Sequence, residues 1–241
     1  MDFDLTDDQK SFSNLAEAIF SDLATSTRVS EIEESSEKFD LKLWNMLGEA
    51  GLLGTILPEA YGGLGLGMVE LSLLLEQQGR TVAQVPLLAN SVLGSWALAS
   101  YGTDKQKNLW LEGVCQGKRI LTGAWNEQNS QAEFAKVVAK PDGNKWRITG
   151  ERIAVPAVGV SEAVLTPVEI DGNQKIAVVP LDAKGIHTTI VETTSRELQA
   201  NLFFDSVEIS EEQILMGSGT QITNEVLQRA KIGICALVLG C

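Results

Sequence analysis

The stretch that decides the fold runs from Arg119-Ile-Leu-Thr-Gly-Ala-Trp-Asn-Glu127 through Lys136-Val-Val-Ala-Lys-Pro-Asp-Gly-Asn-Lys-Trp-Arg-Ile-Thr149 to Gly150-Glu-Arg-Ile-Ala-Val-Pro156. Apolar residues recur here with a period near two, which predicts three short strands. Asp142-Gly143 separates two of the runs and predicts a tight hairpin turn, because glycine accepts the positive φ that such a turn requires. Helical patterns lie before and after this stretch, so we expect a β unit between two helical regions.

The composition limits the classes of function. The chain has 241 residues and a net charge of −13, and 44% of its residues are hydrophobic. The acidic excess argues against nucleic acid or an anionic membrane as a partner, since both would be repelled. The chain has three cysteines and one histidine. The cysteines share no CxxC spacing, so no metal site is predicted. The first residues lack the basic and apolar segments of a signal peptide, so we expect a cytoplasmic protein.

The first 117 residues carry apolar positions at helical spacing. The pattern predicts helices over residues 5–24, 41–50, 68–78, 86–100 and 103–111, with Thr6 and Gln9 as a capping box at the first start. Gly79-Arg80 is expected to end the third of these helices. The glycine-rich stretch 51–67 contains neither a GxGxxG nor a GK[ST] pattern, so an ordered structural loop is favoured over a phosphate-binding loop.

After Gly117 the period changes from 3.6 to two. Strands are predicted over residues 120–126, 134–140, 145–149, 163–168, 175–180, 185–191 and 200–207, which favours a small barrel or sandwich. A helical pattern resumes at Gln221, and its apolar run 232–240 is too short to span a bilayer. We expect a chain cut within a larger helical domain. The fold class predicted is α+β, with an all-helical domain (1–117), a middle β domain (118–216) and the first helix of a C-terminal bundle (217–241).

Four motifs follow one another in an order that resembles the acyl-CoA dehydrogenase family. They are Phe3-Asp-Leu-Thr-Asp-Asp-Gln9, the loop Leu57-Pro-Glu-Ala-Tyr-Gly-Gly-Leu-Gly65 after Gly51-Leu-Leu-Gly54, Phe204-Asp-Ser-Val207, and Gln228-Arg229. The resemblance covers essentially the whole chain. It implies an FAD enzyme that desaturates an acyl-CoA thioester between Cα and Cβ, with a glutamate as base and the flavin as hydride acceptor. It also implies an electron-transfer flavoprotein or similar acceptor, and a homo- or hetero-oligomer.

The resemblance places flavin-facing residues in two segments. Trp125, Asn126 and Ser130 correspond to a Thr-Glu-Pro and Gly-Ser-Asp segment, with Asn126 at the threonine position. Ala154 and Pro156 replace the tryptophan and threonine of a Trp-Ile-Thr segment, so one aromatic face and one hydroxyl donor are lost. The alanine leaves room, which suits a bulky, often sterol-like acyl group or a weakened flavin site. The alternative is a surface turn after a core strand, with Trp125 as a core aromatic.

No catalytic residue is predicted within residues 1–241. Most of the family supplies its glutamate from the C-terminal domain, and a minority supplies it at the position of Gln228, which cannot act as a base. Glu225 is expected to be a solvated acid at the start of its helix. Besides a dehydrogenase, two hypotheses stay open: a non-catalytic subunit that contributes half a flavin site to a partner, and an acyl-CoA-binding module without flavin.

Overall fold

The computed structural model describes residues 4–126, 137–194, 196–197 and 199–241. Its first half is helical. The helices are α1 (Asp7–Leu23), α2 (Ser26–Glu34), α3 (Leu41–Glu49), α4 (Met68–Thr81), a π-helical segment (Ala89–Trp96), α5 (Ala97–Tyr101) and α6 (Asp104–Cys115).

Local signals in the sequence explain where these helices begin and which faces they bury. The Thr6 hydroxyl accepts a hydrogen bond from the Gln9 N–H while the Gln9 side chain accepts from the Thr6 N–H, which confirms the predicted capping box. In α3 the apolar residues Leu43, Trp44 and Leu47, which share one face of the helix, are fully buried. They join a core formed mainly with α1 and α4.

The glycine-rich loop 51–67 satisfies its own backbone. The N–H groups of Leu64 and Gly65 donate to the carbonyls of Gly54 and Leu57, at 2.9 Å in each case. Gly51 and Gly62 adopt φ values of 76° and 84°, which residues with a Cβ avoid. Because these amides are already paired within the loop, the structural interpretation is favoured over a phosphate-binding one.

Helix α2 is not among the predicted helices, α6 continues past residue 111 to Cys115, and two other helices differ from the prediction more substantially. Helix α4 continues through Gly79 to Thr81, whereas the sequence predicted its end at Gly79-Arg80. The glycine serves a close helix contact instead, because a Cβ on Gly79 would overlap the carbonyl oxygen of Leu237. The predicted helix 86–100 is π-helical over Ala89–Trp96 and continues as α5. Segments of this kind are uncommon and frequently mark functional sites.

The second half forms one curled mixed sheet, where a small barrel or sandwich was predicted. Its strands are β1 (Leu121–Gly123), β2 (Val138–Asp142), β3 (Lys145–Pro156), β4 (Ala163–Ile170), β5 (Asn173–Pro180), β6 (Ile186–Val191) and β7 (Gln199–Ile209). Strand β4 pairs with β5 along one edge and, in parallel, with β1 and β2 along the other; β3, β7 and β6 follow. The predicted hairpin is present, with Gly143 at φ 64° between β2 and β3.

Helix α7 (Gly219–Gly240) packs against α4. Its residues Ile222 and Val226 share a core with β5 and α6, so the helical and β parts are packed together. The α+β fold class is confirmed, and the domain division at residues 117/118 and 216/217 stays a prediction. Within the described residues, no helix is both long and apolar enough to cross a membrane.

Candidate functional site

The ends of β1 and β3 lie side by side and form one wall of the candidate site. The hydroxyl of Thr122 in β1 donates to the carbonyl of Pro156 at the end of β3, over 2.7 Å. Asn126 follows β1, and the side chains of Asn126, Ala154 and Pro156 line the same cavity. Three of the five predicted cofactor-facing residues are therefore brought together. Ser130 lies outside the described residues.

Ala154 has a backbone conformation that the sequence did not predict. Its φ is 50°, in the left-handed region, at a bulge where the pairing of β3 with β7 shifts between Arg152 and Val155. Such a conformation is costly for a residue with a Cβ and requires support from its surroundings. The support includes Asn201 of β7, whose side-chain oxygen accepts from the Ala154 N–H at 3.0 Å.

Trp125 is tied to the helical part of the molecule. Only 8% of it is exposed, and its indole Nε1 donates to the carbonyl of Leu93 in the π-helical segment at 3.0 Å. The ring lies so close to Gly123 that a Cβ there would overlap it. This placement favours the core-aromatic alternative for the Trp125 side chain.

A buried arginine, Arg152, links the two segments of the wall, residues 124–126 and 152–156, through hydrogen bonds. Arg152 is 1% exposed, and its Nε and Nη2 donate to Thr166 Oγ1 and to the Pro167 carbonyl at 3.0 and 2.7 Å. The Thr166 hydroxyl donates in turn to the Ala124 carbonyl at 3.3 Å. Burying a guanidinium is costly unless it is hydrogen-bonded. The network therefore fixes the spacing between residues 124–126 and 152–156.

The cavity in front of this wall has a volume of about 500 Å³. The helical part and α7 supply most of its lining, which is largely apolar. The apolar lining residues include Phe39, Pro86, Leu88, Leu93, Val160, Ile234, Leu237 and Val238. Polar side chains are few, and a mostly apolar cavity with a few polar groups is typical of a small-molecule site.

Helix α7 carries Gln228 and Glu225, the two positions that were considered for a catalytic base and that were not predicted to be one. Gln228 is exposed, and α7 lines the cavity through Ile234, Leu237 and Val238. Glu225, which was expected to be a solvated acid, has a partly exposed side chain and accepts hydrogen bonds from Gln221 Nε2 at 2.9 Å and from the Tyr101 hydroxyl at 3.0 Å.

The hydrogen bonds from Gln221 and Tyr101, together with the charge of Arg229, lower the pKa of the Glu225 carboxyl below its usual range. Burial and the Glu225 hydrogen bond raise the pKa of Tyr101. Arg229 stacks 3.7 Å from the centre of the Trp96 ring. A carboxylate held in this way is a weak base.

Sequence reasoning missed much of the cavity lining. Gln78 and Gln84, on and just after α4, line it although both are buried. Gln84 carried a sequence signal, since it is a polar residue between the apolar Ala83 and Val85, whereas Gln78 carried none because it lies in the polar run 76–81. The described residues contain no cluster of three or more side chains that could hold a metal ion.

These features define an α+β protein in which a helical region, a curled mixed sheet and one long helix enclose an apolar cavity. Residues 6–118 match the family model described as acyl-CoA dehydrogenase, N-terminal domain. The acyl-CoA dehydrogenase FadE27 of Mycobacterium tuberculosis (strain ATCC 25618 / H37Rv) is 31% identical over 194 residues, which are 80% of this chain and 51% of the relative. The chain belongs to the acyl-CoA dehydrogenase family.

Solved structures agree with this assignment. The Tcur3481-Tcur3483 steroid ACAD variant is 37% identical, with a TM-score of 0.86 over 97% of this chain and 63% of that chain. The ChsE4-ChsE5 complex from Mycobacterium tuberculosis is 28% identical, with a TM-score of 0.92 over 100% of this chain and 65% of that chain. This chain spans about half the length of the curated relative.

Proposed function

We propose that this chain forms the N-terminal and β-domain part of an FAD-dependent acyl-CoA dehydrogenase that desaturates an acyl-CoA thioester between Cα and Cβ. The observation that carries the proposal is the cavity of about 500 Å³, whose apolar helical lining meets the wall of Asn126, Ala154 and Pro156. An acyl group would lie in the apolar part, with its thioester end towards this wall. An electron-transfer flavoprotein or a similar protein would then reoxidise the enzyme.

The wall residues fit a flavin in part. Ala154, Pro156 and Ala157 are small and leave a shallow surface against which a planar ring can pack. The Ala154 N–H is already bonded to Asn201 and proline has no N–H, so the exposed Asn126 amide is the hydrogen-bond donor that these residues offer. Ser130 would contact the phosphates. FAD, when bound, supplies the hydride acceptor.

The catalytic base is proposed to come from elsewhere. Of the described residues that line the cavity, Glu197 is the carboxylate, and it is exposed to solvent. A base that removes a proton from carbon must be desolvated and aimed at it. Gln228 has no basic group and Glu225 is held by Gln221 and Tyr101.

The second candidate function is a non-catalytic subunit of a heteromeric acyl-CoA dehydrogenase, which contributes part of the flavin site to a partner that carries the glutamate. Gln228 and the hydrogen-bonded Glu225 favour it. The similarity to the ChsE4-ChsE5 complex and to the Tcur3481-Tcur3483 steroid ACAD also supports it, together with a bulky, sterol-like acyl group. Ala154 fits this reading because it leaves room in the wall.

The absorbance spectrum of the purified full chain tests the flavin site. We expect flavin bands, and we expect Ala154→Asp to remove them, because it places a carboxylate against the ring while tolerating a positive φ. Ala60→Asp is the matched control, since Ala60 is exposed and far from the wall in sequence. A colourless protein, or equal flavin content in both variants, would refute this flavin site.

Anaerobic addition of acyl-CoA separates the two candidate functions. Loss of the flavin bands with the chain alone would support the dehydrogenase. Loss only after a glutamate-bearing partner is added would support the non-catalytic subunit.

A further inference from the structure

Two buried glutamines line the cavity, and one of them has a buried polar atom without a hydrogen-bond partner. Gln78 is 8% exposed and Gln84 is 9% exposed, and both line the cavity. The other polar lining side chains are exposed or half-buried, so solvent can reach them: Lys38, Asn126, Glu197 and Gln199. A buried polar atom without a partner costs free energy, so Gln78 Oε1 requires an explanation that the exposed residues do not.

The orientation of the Gln78 amide follows from its partners. Its Nε2 donates to the carbonyls of Ala83 and Val85 at 3.2 and 2.7 Å. Carbonyls only accept, so the NH2 group must face them, and the oxygen Oε1 is turned away from both. Within the described part of the chain this buried Oε1 has no hydrogen-bond partner. Gln78 Oε1 can therefore accept a hydrogen bond from a bound ligand.

Gln84 lies in the segment that carries these two carbonyls. Its backbone carbonyl accepts from the Asp40 N–H at 2.9 Å, which fixes the segment against the start of α3. No hydrogen bond of its side chain is found among the residues that the structure describes. The Gln84 amide can therefore both donate to and accept from a bound group.

We propose that the acyl group received by this cavity carries a hydroxyl on its apolar body, bound by Gln84 and Gln78. A hydroxyl donates one hydrogen bond and accepts others, so it satisfies the Gln78 acceptor and takes a bond from the Gln84 amide. An oxo group only accepts and would leave Gln78 Oε1 unpaired. This inference rests on the proposed function, because it assigns the substrate class of the same cavity.

The hydroxyl must enter a closed site. Gln78 Oε1 is covered in the empty cavity, so the ligand has to displace a neighbouring side chain to reach it. A site built to bind a hydroxyl discriminates against an analogue that lacks it, because the buried amides are then left unpaired. A purely alkyl acyl group would bind less tightly, because it offers no hydrogen bond to these amides.

The test uses the full chain and the CoA thioesters of 5β-cholanic acid and its 3α-, 7α- and 12α-monohydroxy derivatives. These probes differ only in the presence and position of one ring hydroxyl. Dissociation constants from isothermal titration calorimetry should show at least one hydroxylated probe binding about three to ten times more tightly than the unhydroxylated one, the value of one net hydrogen bond. Gln84→Met and Gln78→Met should each remove this preference, while Gln77→Met, a change at a buried glutamine outside the cavity lining, should retain it.

The preference, rather than the affinity, is the decisive quantity, because a variant that only disturbs the fold weakens all probes alike. Equal binding of all four probes would overturn the hydroxyl proposal and leave the acyl cavity in place, with water satisfying the glutamines. A preference that survives in both glutamine variants would also overturn it. Absence of binding by every probe would overturn this proposal and the assignment of the cavity to an acyl group.

Discussion

Replacing Asp40 should destabilise the protein more than any neighbouring acid, because one buried carboxylate serves two elements. Asp40 is 4% exposed and accepts from Arg28 Nε and Nη2 at 2.9 and 3.1 Å. It also caps α3 by accepting from the N–H groups of Lys42 and Leu43 at 3.1 and 3.2 Å. The backbone N–H of Asp40 donates to the carbonyl of Gln84, which lies in the segment that lines the cavity.

The expected magnitude follows from these contacts. Loss of an N-cap costs about 1 kcal/mol, and loss of a half-exposed ion pair about 0.5–1 kcal/mol, so Asp40→Ala should lower the free energy of unfolding by about 2 kcal/mol. For a chain of this size that corresponds to a fall in Tm of about 4–8 °C. Urea unfolding followed by circular dichroism measures the free energy directly.

Glu31→Ala is the matched control. Glu31 pairs with the same arginine at 3.4 Å, but 60% of its side chain is exposed and it caps no helix. Its loss should cost less than about 0.5 kcal/mol. Equal destabilisation by the two variants would refute the idea that burial and capping at Asp40 set the cost.

The pH dependence supplies a second check with a defined sign. Burial alone would raise the pKa of the Asp40 carboxyl, but the hydrogen bonds and charge of Arg28 and the N–H groups of α3 hold it below its usual value. A lowered folded-state pKa stabilises above the unfolded-state pKa, and that contribution is lost as the pH falls through the folded value. The difference between wild type and Asp40→Ala should be constant from about pH 5 to pH 8 and shrink below about pH 4. A difference that grows on acidification would contradict this account.

Three further predictions concern packing and exposure. Gly79→Ala should destabilise by about 1–3 kcal/mol in urea unfolding although alanine favours helix, because its Cβ overlaps the Leu237 carbonyl. Burial raises the pKa of Cys115 to about 11, so iodoacetamide at pH 8 should modify the two exposed cysteines and spare Cys115, as intact mass would show. Trp125→Phe should lose the bond to Leu93 and about 1 kcal/mol of stability while leaving the flavin spectrum unchanged, which would settle its role as a core residue.

Each of these predictions has a control and a contrary outcome. Gly159→Ala introduces a Cβ that meets no atom within 4 Å, so it should be nearly neutral. Unchanged stability of Gly79→Ala would mean that α4 and α7 are not in close contact. A third adduct in the native protein would contradict the burial of Cys115, and a shifted or absent flavin spectrum in Trp125→Phe would place its indole at the cofactor.

Features set by neighbours in sequence were predictable from the sequence. The capping box at Thr6, the inward face of α3 and the hairpin at Gly143 each depend on residues within a few positions of one another, and each is present. The turn between β4 and β5 carries the same local signal, an Asp171-Gly172 pair. Local signals of this kind sufficed for the α+β class and for the approximate location of the strands found in the described residues; residues 134–136 of the second predicted strand lie outside them.

Features set by contacts between residues far apart in the sequence were not predictable from it. The end of α4 was misplaced because Gly79 is required by α7, which lies about 160 positions later in the sequence. The left-handed Ala154 depends on Asn201 of another strand, and the cavity depends on a segment folded back by Gln78. No periodicity within either segment contains this information, since the partner supplies the constraint.

The placement of acids around α7 bears on how the two candidate functions divide. Glu225 is a weak base because hydrogen bonds from Gln221 and Tyr101 stabilise its ionised form. Arg229 stacks on Trp96 nearby. A carboxylate introduced at Gln228 would be exposed and next in sequence to Arg229, so neither desolvation nor a like charge would raise its pKa towards that of an effective base. Under the proposed function, the wall and cavity would supply binding and positioning, and the proton-abstracting group would come from a segment that also excludes water from the site.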